Sequence, residues 1–88
     1  MYHVYILYSA DFNKSYVGYT QNIERRMREH NFTETQGFTL RYRPWVLIYT
    51  ETLETKTDAL KREKYYKSGV GRVKLKEIIG HYLHTKED

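Results

Sequence analysis

The amino-acid sequence predicts a single α+β domain whose elements run β-β-α-β-α-α. Three observations carry that reading. Stretches beginning at Tyr2, Tyr16 and Trp45 are dense in β-branched and aromatic residues, the composition of strands. Three other stretches carry cap residues and apolar positions three and four apart, the period of helices. The chain has 88 residues, room for one core and no second domain. Residues 1–84 are therefore read as one domain, and residues 85–88 as a disordered tail.

The first strand is expected over Tyr2 to Tyr8. Tyr2, Val4, Ile6 and Tyr8 share one face, and His3, Tyr5 and Leu7 share the other. Both faces carry apolar bulk, so this strand is expected to be covered on both sides. Ser9 to Ser15 reads as a polar turn, and Tyr16-Val17-Gly18-Tyr19 as a short second strand, so the pair suggests an antiparallel hairpin. Asn22 is a good N-cap for a helix over Ile23 to His30. Asn31 to Pro44 has no period and reads as a long loop, which hints at function or mobility. Trp45 to Thr50 is the third strand. Thr55, with Asp58 three residues on, caps a helix ending near Lys67, where Ser68-Gly69 is a stop signal. Leu75, Ile78, Ile79 and Tyr82 then mark a last helix over about Arg72 to Leu83.

Composition narrows the function classes. With no cysteine, disulfides and thiolate metal sites are excluded. No apolar run approaches the roughly 20 residues of a membrane span, and Met1-Tyr2-His3 does not read as the start of a signal peptide. The expectation is a soluble, cytoplasmic domain without a membrane partner. A net charge of +4 favours polyanions such as nucleic acid, but only as a weak signal. The ten tyrosines raise the question of which pack and which react.

Helical geometry singles out two charged groups. At about 100° per residue, Ile23, Arg26, Met27 and His30 share one stripe, whereas Arg25 and Arg28 fall on the solvent side. Arg26 is then either an edge arginine whose stem packs while its guanidinium reaches water, or a group held for chemistry. His30 is either core-facing filler or part of the same site. On the next helix, Glu63 sits among Ala59, Leu60 and Tyr66. A carboxylate there is costly unless it is paired or binds a metal, and a salt bridge to Arg26 or a lysine is the plainer alternative. Tyr5 and Tyr16 would converge on this site if the hairpin register puts them on one face, which the sequence does not prove. Tyr2, Tyr8 and Tyr49 are read as sheet-packing aromatics.

These residues also form an ordered set. His3-Val4-Tyr5, Tyr16-Val17-Gly18, the run Asn22 to His30 with Arg26 ten residues after Tyr16, and Glu63 in Ala59-Leu60-Lys61-Arg62-Glu63 resemble the GIY-YIG nuclease superfamily. The likeness is greatest to its small stand-alone members, similar to the N-terminal endonuclease domain of UvrC. The resemblance implies a small sandwich: a three-stranded antiparallel sheet flanked by helices. It implies a metal-dependent endonuclease acting on DNA in repair or processing, directed by DNA structure or by a protein partner. Tyr5 and Tyr16 would be the motif tyrosines, Gly18 the motif glycine where backbone approaches substrate, Arg26 the catalytic arginine, His30 an accessory catalytic residue and Glu63 the ligand of Mg²⁺ or Mn²⁺.

Those residue types suit the reaction. Phosphodiester hydrolysis needs an activated water, neutralised phosphate charge and a stabilised leaving oxygen. A hard carboxylate suits Mg²⁺, and a guanidinium offers a planar pair of donors to phosphate. A phenol is a poor base unless nearby cations lower its pKa; Arg26 and a metal-bound phosphate are expected to do so. Arg41, Arg43, Lys61, Arg62, Lys64 and Lys67 are expected phosphate-backbone contacts, against the alternative of an ordinary solvated face.

Four departures stand out. His3 replaces the glycine of the first triplet, Val4 and Val17 replace isoleucines, and Tyr19 stands where some relatives carry lysine. Asparagine occurs only at positions 13, 22 and 31, leaving empty the asparagine that many relatives place after the metal glutamate. The valines are conservative; the empty asparagine and His3 motivate a second hypothesis, a nucleic-acid-binding or docking module that lost turnover. A third is an RNA-directed nuclease whose tyrosines stack unpaired bases.

Overall fold

Strand β1 (Tyr2–Ser9) forms the middle of the sheet, and this explains why both of its faces are apolar. In the computed structural model, which describes residues 1–86, β1 pairs antiparallel with β2 (Lys14–Thr20) on one side and β3 (Val46–Leu53) on the other. Every residue from Val4 to Ser9 is buried. The element order is the expected one, β-β-α-β-α-α, with one extra helical turn before β3.

The two faces of β1 collect separate cores. Tyr5 and Leu7 pack with Trp45, Tyr16, Ile23 and Met27. This face is covered by α1 (Ile23–Arg28), whose N-cap Asn22 accepts from the Arg25 N–H at 3.0 Å. Val4 and Ile6 pack with Val17, Ala59 and Tyr66 on the opposite face, beneath α3 (Lys56–Lys67) and α4 (Gly69–Lys86). The result is helix, sheet, helix, each helix burying one stripe against one sheet face.

Strand ends extend beyond the apolar pattern. The expected turn over Ser9 to Ser15 contracts to residues 10–13, because Ser9 and Tyr8 still pair with Lys14 and Ser15. Asn13 takes a positive φ of 52°, which asparagine tolerates better than most residues. Its side chain accepts from the Tyr8 hydroxyl at 2.8 Å.

The segment expected to be a loop is heavily tied down. From Glu29 to Thr33 the chain continues α1 as a π-helical turn, and Phe38–Arg41 forms a short helix, α2. Asn31 brackets Trp45 by accepting its N–H at 2.7 Å and donating to its carbonyl at 3.0 Å. The Trp45 indole N–H reaches the Thr39 carbonyl at 2.7 Å. Arg43 donates to three carbonyls, those of His30, Glu29 and Glu34 at 2.5, 3.2 and 2.9 Å. Side-chain bonds satisfy here what no regular ladder could, so the sequence showed no period.

The corner between α3 and α4 also differs from expectation. Gly69 does not close α3 but is the first residue of α4. Ser68 makes the break, with extended backbone, and its hydroxyl accepts from the Gly71 N–H at 3.2 Å. The decisive glycine is Gly71: a Cβ there would stand 1.6 Å from the Tyr65 carbonyl oxygen. Helix α4 starts earlier than expected and runs to Lys86, two residues into the expected tail. Residues 87 and 88 lie outside the described residues. None of the described helices is long and apolar enough to cross a membrane.

Candidate active site

The register of β1 with β2 assembles the site. Tyr5 pairs with Gly18 and Leu7 with Tyr16, so Tyr5 and Tyr16 stand on one face, their ring centroids 6.2 Å apart. Gly18 is required by this arrangement. A Cβ at that position would lie 2.5 Å from the Tyr5 hydroxyl oxygen and 3.0 Å from the Tyr16 ring. The close backbone approach expected at Gly18 is therefore to the Tyr5 phenol.

The α1 stripe delivers Arg26 and His30 to the same face. The Tyr5 hydroxyl lies 2.8 Å from His30 Nε2, and both side chains are buried. His30 Nδ1 is 3.2 Å from Glu34 Oε1, close enough for charge attraction but not aligned as a hydrogen bond. The carboxylate favours a proton on Nδ1, leaving Nε2 free to accept from Tyr5. Arg26 Nη1 contacts Glu29 at 2.9 Å and Glu34 at 3.3 Å.

Electrostatics follow from that packing. Burial pushes the Tyr5 phenol up, and the adjacent Arg26 only partly opposes it. Arg26 alone therefore does not bring Tyr5 below its ordinary value, and Tyr5 keeps its proton at neutral pH. Burial, helped by Arg26, holds His30 below the usual histidine range, with Glu34 pulling the other way. Burial also works against the charge of Arg26, but hydrogen bonds to Glu29 and Tyr5 outweigh it and hold the guanidinium above its ordinary value.

Glu63 completes the site from the other layer. Tyr5, Tyr16, Gly18, Arg26 and Glu63 line one cleft of about 470 Å³ that wraps the free edge of β2, together with Tyr19, Thr20, Arg25 and Glu29. Glu63 Oε1 is bonded to Lys67 Nζ at 2.8 Å, so it pairs with a lysine and not with Arg26. No group of three acidic or histidine side chains is arranged to hold a metal ion among the described residues. Of the two carboxylates lining the polar cleft, Glu29 pairs with Arg26 and Glu63 with Lys67; a carboxylate such as Glu63 suits Mg²⁺, which keeps several waters and shares the phosphates of its substrate.

Some expected residues lie elsewhere. His3 bonds Thr52 at 3.1 Å and does not line the cleft. None of the six cations expected on the phosphate backbone lines it either. Arg43 is committed to the three carbonyls described above. Arg62 forms a two-pronged pair with Glu51 at 2.7 and 2.8 Å on the opposite sheet face, beside Tyr66. Arg41, Lys61 and Lys64 are exposed and away from the cleft. Sequence reasoning missed Arg25, placed on the solvent side, and the acidic partners Glu29 and Glu34. The spacings Arg26–Glu29 (i, i+3) and His30–Glu34 (i, i+4) were the available signal.

The GIY-YIG catalytic domain matches residues 1–76. The chain belongs to the GIY-YIG family. Its curated relatives are UPF0213 proteins. One from Limosilactobacillus reuteri is 39% identical over 82 residues, covering 91% of this chain and 84% of that protein. Another from Staphylococcus haemolyticus is 40% identical over 76 residues, covering 86% and 92%. The solution NMR structure of a UPF0213 protein from Bacillus halodurans shares 28% identity, covers 89% of this chain and 85% of its own, and superposes with a TM-score of 0.51. GIY-YIG is a nuclease superfamily, and Tyr5, Tyr16, Arg26 and Glu63, the positions the resemblance singled out, are among the residues that line the cleft.

Proposed function

We propose that this GIY-YIG protein is a divalent-metal-dependent endonuclease that hydrolyses DNA phosphodiester bonds. The observation that carries the reading is the buried Tyr5–His30 hydrogen bond at 2.8 Å, opening on the cleft that also holds Arg26 and Glu63. A phenol kept protonated by burial is no base by itself. Hydrogen-bonded to a neutral imidazole, it becomes one: as the Tyr5 oxygen takes a proton from the attacking water, its own proton passes to His30 Nε2. Glu34 holds the imidazole and stabilises its charge.

Arg26 would exchange Glu29 and Glu34 for the non-bridging oxygens of the phosphate. An arriving phosphate also offsets the positive field of Arg26 that depresses His30, so substrate itself prepares the base. Tyr16 orients phosphate or water by its hydroxyl. Mg²⁺ or Mn²⁺ on Glu63 would neutralise charge on the phosphate and the leaving oxygen. The cleft offers cations and phenols, which address phosphate, so the reading places selectivity in DNA structure or a protein partner, as in repair or processing.

A second reading, a binding module without turnover, is favoured by one observation: Arg26 is engaged by two carboxylates. One experiment separates them. Supercoiled plasmid, flapped and branched oligonucleotides and an RNA equivalent are incubated with and without Mg²⁺ or Mn²⁺, beside Glu63→Ala, Arg26→Ala and Tyr5→Phe. Metal-dependent cleavage lost in all three variants supports the nuclease. Binding without cleavage of any substrate favours the module, and cleavage of RNA alone would move the substrate class.

A further inference from the structure

A second depression of about 530 Å³ adjoins the cleft, and Tyr16 lines both. It follows the free edge of β2 toward the hairpin tip and is bordered by Lys14, Lys67 and Arg72. Lys14 and Arg72 are exposed and have no ion pair among the described residues. Lys67 is also the partner of Glu63, so the cations begin where the carboxylate proposed to hold the metal stands.

An aromatic ladder runs beside those cations. The Tyr5 ring lies 6.2 Å from Tyr16, and Tyr16 lies 6.4 Å from Phe38 with the planes only 26° apart. Phe38 continues to Tyr42 at 4.8 Å, and Tyr42 to Phe12 at 5.4 Å. Lys14 Nζ sits 5.4 Å over the Tyr42 ring. Phe38 and Phe12 are 46% and 48% exposed, although folding favours burying such rings. A row of rings leaving Tyr5, exposed at Phe38 and Phe12 and flanked by Lys14 and Arg72, which have no ion pair among the described residues, is the composition of a single-strand track: rings stack bases and cations meet phosphates.

We propose that the β2 edge holds an unpaired DNA strand leading away from the scissile phosphate. Bases stack on Phe38 and Phe12, and phosphates meet Lys14, Lys67 and Arg72. The proposal deepens the nuclease reading and rests on it. It makes the substrate a DNA with a single-stranded arm next to the cut, such as a flap, in preference to intact duplex.

Anisotropy of a labelled single-stranded DNA of about 12 nucleotides, of the same sequence as duplex and of its RNA counterpart, is read with the full chain, Phe38→Ala, Phe38→Leu and the double variant Lys14→Glu, Arg72→Glu. Flap and duplex cleavage are followed in parallel. Each groove variant is expected to lose roughly tenfold or more in single-strand affinity, about the effect of one stacked base, with little change on duplex. The charge variant should also flatten the salt dependence by about 1.4, two single-strand phosphate contacts. Both charged sites are exposed, so folding is not in question for that variant.

Wild-type affinity in the charge variant and in Phe38→Ala would overturn the track even if the protein cleaves DNA. Tighter binding to duplex than to single strand, or to RNA than to DNA, would also overturn it. Loss of single-strand binding in the variants, with no cleavage by the wild type on any substrate, would leave the track standing and remove the nuclease reading.

Discussion

Tyr5 and His30, 25 positions apart in the chain, share a buried hydrogen bond of 2.8 Å between hydroxyl and Nε2. Tyr5→Phe removes the hydroxyl and keeps the ring. Cleavage is expected to fall about 10²- to 10⁴-fold, the range for a positioned acid–base group. The unpaired Nε2 should cost about 1–3 kcal/mol of stability. Initial nicking rates alongside thermal melts check both, and a variant that nicks at the wild-type rate would remove Tyr5 from the mechanism.

His30 gives the reaction a pH signature. It faces Tyr5, Tyr16, Arg26 and Glu34, and its folded pKa lies below the ordinary 6.5. The rate should therefore rise with pH through a midpoint below 6.5 and flatten near neutrality. The stability effect has the same sense. Between the two pKa values the unfolded chain binds the extra proton, so this contribution is complete above 6.5 and is lost as pH falls through the folded pKa. His30→Gln should remove the acidic limb from the rate profile; a profile unchanged in the variant would contradict the assignment.

Gly18→Ala tests the seat of Tyr5. The added methyl would stand 2.5 Å from the Tyr5 oxygen. The ring must shift, at about 1–3 kcal/mol for overpacking, and cleavage should drop with the displaced hydroxyl. Near-wild-type melting and rate would show that the strand relaxes instead.

Arg43 is expected to act on stability through the site's scaffold. Its guanidinium bonds three carbonyls around the π-helical turn that carries His30. Arg43→Ala should destabilise by about 1–3 kcal/mol, as the partly buried carbonyls of His30 and Glu34 lose this donor, or several degrees in Tm at this size. Its effect on DNA affinity at constant fold should be small, which a salt titration of binding checks.

Glu51 should dominate acid stability on the opposite face. Paired with Arg62, its carboxyl is held down at about 2 against an ordinary 4.5, and both Tyr66 and Tyr49 donate to it. A depressed carboxylate contributes fully above 4.5, and that contribution disappears as pH falls toward 2. Glu51→Gln should flatten this part of the stability curve while lowering stability at neutral pH. Denaturant melts at several pH values read both.

Element identity was legible because it is local. A dense run of β-branched and aromatic residues marked β1, Asn22 and Thr55 capped the helices they precede, and the 3.6-residue stripe set Arg26 beside His30. The motif spacing pointed to Tyr5, Tyr16, Gly18, Arg26 and Glu63 before any of them had a position in space. What lay beyond local pattern was register and partner choice. Nothing in the chain order says that Tyr5 stands opposite Gly18, or that Arg43 turns inward to three carbonyls while Lys14 lies over the Tyr42 ring. Those outcomes depend on which buried polar groups remain to be satisfied once strands pair and helices dock, a condition only the folded chain imposes. By itself the sequence determined the elements, the family and the reactive residue types. The tertiary structure decided that the Tyr5 phenol is kept protonated by burial and backed by a histidine, because desolvation is a property of packing and not of spacing.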